Sequence, residues 1–420
     1  MQKDGRAASG WAAADEKPIV RLYRHPEEDM DIKGYPLEGL KVLDLSRVLA
    51  GPFATRMVSD LGADVLKIEP PEGDVTRHFG KSDDGVAGFY LQQNIGKRNI
   101  CIDLKADGAR ELVLDLCREA DMLVENFRPG VMKRFGLDWK SVHAVNPKLV
   151  MLSISGFGQS GPEAGRAAYA PVVHAETGLI ARQAEVSGGQ ATDLQYSLAD
   201  SYSSLHGLVG LLAALRVAEN TGEGQHVDIA MINVVHATDD YAHWALDGVW
   251  PKPAENLVWD APEGKKILIS SDMKWIWRVF STKAGLADPT PDGADLETKV
   301  ALRHEAATNH ILSYESFDAL TEALDGMNLA WGLVRQFGEE SYAQKSVGPN
   351  GILVDVEDDR GNARRTVQSP YRFSSSQSGI KSGMRPPRRG EHNEEALKDW
   401  LGADAARISG LTEKGILLSE

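Results

Sequence analysis

Between Lys41 and Ile154 the chain alternates short apolar runs with helically patterned segments, and this alternation restricts it to a parallel α/β sheet. Lys41-Val42-Leu43-Asp44-Leu45 reads as a strand. Arg47-Val48-Leu49-Ala50-Gly51-Pro52 then leads into a helix that reaches Leu61 and is closed by Gly62. Residues 63–69 form a second strand ended by Pro70 and Pro71. Such a strand, helix, strand unit joins parallel neighbours through a right-handed crossover. The pattern repeats, with strands at 99–104, 122–125 and 149–154 and helices at 108–120 and 131–135. The expected fold is a Rossmann-like open parallel sheet.

The remainder is less regular. A further strand is predicted at 226–230, followed by a helix from Met231. Near Trp250 the character changes: Pro251, Pro253 and Pro262 punctuate a linker, and residues 250–340 read as short helices with one strand at 266–269. Residues 352–356 and 365–367 pattern as a hairpin about 358–362, and helices at 394–401 and 404–411 close the chain. The expected organisation is an N-terminal extension, 1–35, a discontinuous large domain, 36–235 with 345–420, and a small α+β domain, 250–340. A chain of 420 residues has ample core for both.

Charge narrows the function. Lys plus Arg number 46 against 61 Asp plus Glu, a formal net charge of −15, which argues against nucleic acid or an anionic membrane as partner. No run approaches the roughly 18 apolar residues of a membrane span. The first residues lack the apolar segment of a secretory signal, and the two cysteines, Cys101 and Cys117, sit in apolar runs without metal spacing. A cytoplasmic protein is expected.

In an open α/β sheet, ligands bind at the carboxyl ends of the strands. Arg47, Lys67, Arg77, Lys97, Arg98, Arg128, Lys133 and Arg134 fall at strand ends, loops or helix starts, a distribution suited to a polyphosphate. Singly, each is equally a solvated surface charge. A dinucleotide is not expected: Ala50-Gly51-Pro52 follows the first strand where G-x-G-x-x-G would be required, which leaves Glu69 as a strand-end acid with a local partner. No H-E-x-x-H, Cys cluster or G-x-S-x-G elbow is present, so neither a metal site nor a serine hydrolase is expected.

One carboxylate has a special position. Apolar residues at 205, 208, 209, 211, 212 and 215 have helical spacing, so Asp200 stands where that helix begins. It serves there either as a cap for free backbone N–H groups or as an ionised nucleophile. Its own neighbourhood leaves both roles open.

Several ordered stretches together resemble the class III CoA-transferase, or CaiB/BaiF, family. They include residues 36–44, Ala50-Gly51-Pro52, 61–69, Gly73-Asp74 with Arg77, Asn94 with Lys97-Arg98, 125–130, 155–159, 221–225 and Gly390-Glu391-His392. The resemblance implies an acyl-CoA:carboxylate CoA-transferase that forms an interlocked homodimer and acts on an acyl-CoA and a carboxylic acid, with no metal or NAD. It implies that Asp200 is the nucleophile. By position it places Val48, Arg77, Lys97, Arg98, Arg134 and Tyr169 at the coenzyme A site. Related α-methylacyl-CoA racemases carry a histidine where this chain has Tyr169, and a phenol with a pKa near 10 is a poor base at neutral pH, which favours transfer over racemisation. His174 keeps the racemase alternative in view, and a CoA-binding relative without transferase activity is the third. The chain departs from the family pattern at Leu49, where several members have glutamine, and at Ala167 and Ala170. A glycine-rich flap between 240 and 280 is not visible.

Overall fold

The computed structural model describes residues 34–419 apart from 81, 84–85, 250–256, 339–341, 345–346, 348–350, 358–362 and 382–383. The expected N-terminal extension up to residue 33, Trp250 with its prolines 251 and 253, and the turn of the late hairpin lie outside these residues. Among the described residues the chain divides into a first unit that runs to Asp239 and resumes at Lys345, and a second, Asp240–Gln344.

The first unit is built on six strands: β1 (Lys41–Asp44), β2 (Asp64–Glu69), β3 (Arg98–Cys101), β4 (Met122–Glu125), β5 (Val150–Ser155) and β6 (His226–Ala230). All pair in parallel, in the order β3-β2-β1-β4-β5-β6. Every residue of β4 and β5 is buried, as expected of central strands covered on both faces. Successive residues face opposite cores. Leu43, Leu66, Leu123 and Met151 pack with α2 (Ala109–Glu119) and the late helix Asn393–Leu401. Val42, Val65, Val124, Leu152 and Ile154 pack with α1 (Ala50–Asp60) and the long α4 (Leu198–Thr221).

Two shorter helices, α3 (Ala170–Glu176) and α5 (Met231–Thr238), flank α4 on this face. Glycine lets α4 lie against the sheet: a Cβ on Gly207 would stand 3.1 Å from Leu152, and one on Gly210 would stand 2.9 Å from Val227. The helix begins at Leu198 with Ser197 as its N-cap, so Asp200 is not the capping residue but lies in the first turn.

The second unit contains a three-stranded antiparallel sheet, Trp331–Leu333, Lys266–Ile269 and Leu257–Asp260, where sequence pattern gave one strand. Strand Leu257–Asp260 carries Trp259 into the core with Trp277 and Phe280, whereas Trp275 remains half-exposed. Aromatic burial of this kind is the structural use of tryptophan.

Candidate active site

The sheet is built outward from β1 in one direction through β2 and β3 and in the other through β4, β5 and β6, so the loops after β1 and β4 diverge and leave a crevice between them. A cavity of about 510 Å³ opens there. It is lined by residues that follow β1, β2, β3 and β4, by the end of β5 at Ser155-Gly156, by Arg166 and Tyr169, and by Asp200.

Asp200 enters this cavity from the first turn of α4. Ser204, one turn on, donates its hydroxyl to the Ala50 carbonyl at 2.5 Å, which ties the start of α4 to the start of α1. Among the described residues the Asp200 carboxylate accepts no hydrogen bond. Burial pushes its pKa up to about 6. Sequence reasoning assigned the helix mouth the role of keeping this acid ionised; desolvation instead prevails and moves the pKa the other way. At neutral pH the group is still largely a carboxylate, but an imperfectly solvated one.

His174 is fully buried and both its ring nitrogens are engaged. The Ala199 backbone N–H donates to Nε2 at 3.1 Å, and Nδ1 lies 2.8 Å from Asp193 Oδ1. An Nε2 that accepts a hydrogen bond carries no proton, so the ring is the neutral Nδ1–H tautomer. His174 caps α4; it is not a base aimed into the cavity.

The predicted site residues separate into two groups. Val48 and Tyr169 line the cavity with Asp200, and Tyr169 is well exposed. Arg77, Lys97, Arg98 and Arg134 do not line it. Lys97 turns beneath α1, where its ammonium reaches Asp44 at 2.9 Å, the Pro52 carbonyl at 3.0 Å and Asn94 at 3.0 Å. Burial lowers its pKa to about 8, resisted by Asp44. Arg77 makes two bonds to Glu69, at 2.8 and 2.9 Å, and one to the Tyr90 hydroxyl. Glu69 is thus the strand-end acid with local partners, among them Asn99. Arg98 opens β3 at the amino edge of the sheet, opposite the crevice, and pairs with Asp64 and Asp399. Arg134 is exposed on the short helix Val131–Arg134, whose first residue, Val131, lines the cavity.

Four other cations do line it: Arg47 after β1, Lys105 after β3, Arg128 after β4, and Arg166. Lys105 and Arg166 were not singled out from sequence as ligand groups, although Lys105 follows the carboxyl end of β3, the position the strand-end rule favours. The side chains of Arg47, Lys105 and Arg128 make no hydrogen bond or ion pair among the described residues. Arg166 stacks on Phe157 and pairs with Glu163 and Glu176.

The turn carrying Arg47 is strained and braced. Val48 has φ of 68°, a left-handed conformation that a β-branched residue rarely adopts. Its N–H points at the Asp74 carboxylate, 3.3 and 3.4 Å away, and Asp74 pairs with the buried Lys67. The Asn126 side chain bonds both backbone groups of Arg47. Beside it, Glu125 accepts the Phe127 N–H at 2.8 Å, and burial raises its pKa to about 7. Among the described residues no group of His, Cys, Asp and Glu is disposed to hold a metal, and no helix is long and apolar enough to cross a membrane.

Comparison with known proteins agrees with this architecture. A model of CoA-transferase family III matches residues 37–393. A succinate–glutarate CoA-transferase of Agrobacterium fabrum is 33% identical over 395 residues, which cover 88% of this chain and 97% of that protein. A formyl-CoA:oxalate CoA-transferase of Streptomyces avermitilis is 30% identical over 419 residues, covering 91% and 99%. The crystal structure of a CaiB/BaiF family protein from Brucella suis superposes with a TM-score of 0.73 at 28% identity, over 88% of this chain and all of that one.

Proposed function

Because this chain belongs to CoA-transferase family III, whose members move coenzyme A from an acyl-CoA to a carboxylate, we propose that Asp200 is the nucleophile of that transfer. The observation that carries this reading is a carboxylate in the strand-end cavity that accepts no hydrogen bond among the described residues and has a pKa of about 6. It is ionised at neutral pH yet unusually reactive for want of solvation.

An Asp200 oxygen attacks the donor thioester carbonyl; the C–S bond breaks, CoA leaves as the thiolate, and an acyl-aspartyl anhydride results. The thiolate then attacks the Asp200 carbonyl, releasing the donor acid as its carboxylate and leaving an aspartyl-CoA thioester. The acceptor carboxylate repeats both steps in reverse, and no net proton is consumed. Arg47, Lys105 and Arg128 meet the phosphates of the CoA ester, with Arg134 outside the cavity as a further cation. Arg77, Lys97 and Arg98 are left out of the site, since carboxylates already engage them.

The acids named for the relatives, succinate, glutarate and oxalate, carry two carboxylates. We extend this class of dicarboxylic acids to the present chain. Racemisation is disfavoured because His174 has no free nitrogen. Leu49 is buried and supplies no polar group. An interlocked homodimer is part of the same proposal: α4 carries no polar side chain from Gly207 to Leu215, and Leu205, Val209 and Val217 remain exposed on it in a single chain.

Trapping tests the reading. Wild-type protein mixed with succinyl-CoA and quenched in acid is expected to yield a peptide containing Asp200 with CoA attached by a thioester, and Asp200→Ala is expected to yield none and to lose turnover. Retained turnover in Asp200→Ala would refute the mechanism. Exchange of the α-proton for deuterium without CoA transfer would favour the racemase.

A further inference from the structure

We propose that Asn126 is a positioning residue which holds the strained β1–α1 turn so that Arg47 meets the anionic part of the CoA ester. The inference rests on the transferase reading above and adds to it a residue that acts through another.

Asn126 follows β4 and Arg47 follows β1, the two strands that part at the crevice. The Asn126 Oδ1 accepts the Arg47 N–H at 2.8 Å and its Nδ2 donates to the Arg47 carbonyl at 2.8 Å. One side-chain amide thereby reproduces, across the crevice, the two-bond pairing of a strand neighbour. With both its oxygen and its nitrogen committed to backbone, Asn126 has little left to offer a ligand directly.

What it holds would not stay in place unaided. The next residue, Val48, sits at φ of 68°. Such a conformation persists only where its surroundings over-determine it. The surroundings do so here: Asp44 accepts the Ser46 N–H at 2.9 Å, Lys67 donates to the Ser46 carbonyl at 2.8 Å, and Asp74 faces the Val48 N–H. Residue 47 lies between these fixed points, and Asn126 is the group that bonds its backbone. The Arg47 guanidinium, half-buried, lines the cavity without a partner among the described residues. A cation held by its backbone and left free at its tip is prepared for an anion.

Release of the clamp lets the Val48 strain relax and Arg47 swing. A double-mutant cycle on the affinity for free CoA, measured calorimetrically in the full chain, tests this. Arg47→Ala and Asn126→Ala are each expected to weaken CoA about tenfold, while the double variant binds no worse than Arg47→Ala alone, since coupled residues are not additive. Asn126→Asp keeps the acceptor and loses the donor; an intermediate affinity from it supports the proposal even if Asn126→Ala fails to fold. Both single variants should also show the same weakened salt dependence of binding, which loss of packing alone would not produce. Additive losses, or wild-type affinity in a folded Asn126→Ala, would overturn the positioning role while wild-type CoA binding kept the transferase reading intact. A wild-type chain that binds no CoA would overturn both.

Discussion

Asp200 shows how a single side chain acquires chemistry from its surroundings. Its folded pKa, about 6, lies above the ordinary carboxylate value, so the fold disfavours its charged form. Two outcomes follow with opposite signs. Nucleophilic attack needs the carboxylate, so kcat/KM for CoA transfer should fall tenfold per pH unit below about pH 6 and level off above it. Stability runs the other way: a raised pKa favours folding while the group is protonated, and that contribution is lost as pH rises through 6. Asp200→Asn should therefore abolish transfer and yet be more stable than wild type at pH 8, by about 1 kcal/mol after allowance for partial solvent screening. The difference should vanish near pH 4, as urea denaturation at the two pH values would show. His174 illustrates the converse. Its nearness in sequence to Tyr169 kept the racemase alternative in view, but Ala199 and Asp193 claim both nitrogens.

At the scale of elements, the β1–α1 and β2–β3 connections explain why only some of the basic residues line the cavity. Asp44 at the end of β1 draws Lys97 inward from 53 positions away, into a site where neither charge sees solvent. Lys97→Ala leaves that carboxylate short of a partner and should destabilise the fold by about 3–5 kcal/mol. Lys97→Met, which fills the space, should still expose the missing charge but restore part of the packing. In either variant that folds, the KM for the CoA ester should stay within about twofold of wild type, a margin in keeping with a residue remote from the ligand. A large rise in KM with unchanged stability would return Lys97 to the ligand site. Arg98 teaches a simpler lesson, because a residue that opens a strand in a parallel sheet lies at the amino edge, and ligands gather at the carboxyl edge.

The whole molecule combines a net charge of −15 with a cavity lined by Arg47, Lys105, Arg128 and Arg166, so its positive charge is gathered locally against an acidic whole. The exposed apolar positions of α4 also belong to this scale. If a second copy covers them, light scattering should give twice the 45.7 kDa of one chain, and Val209→Asp should split the assembly. A wild-type mass of one chain would end the dimer proposal. The sequence by itself determined the alternating strands and helices, the parallel sheet, the ligand edge and the acid at the head of an apolar helix. These depend on local periodicity and on the direction in which a chain leaves a strand, both of which neighbouring residues set. Only the tertiary structure decided which cations turn outward, that Val48 is strained, that Asn126 clamps Arg47, and that desolvation outweighs the helix terminus at Asp200. Each of these depends on a partner distant in sequence or on the water excluded by packing, and neither quantity is carried by the local pattern of residues.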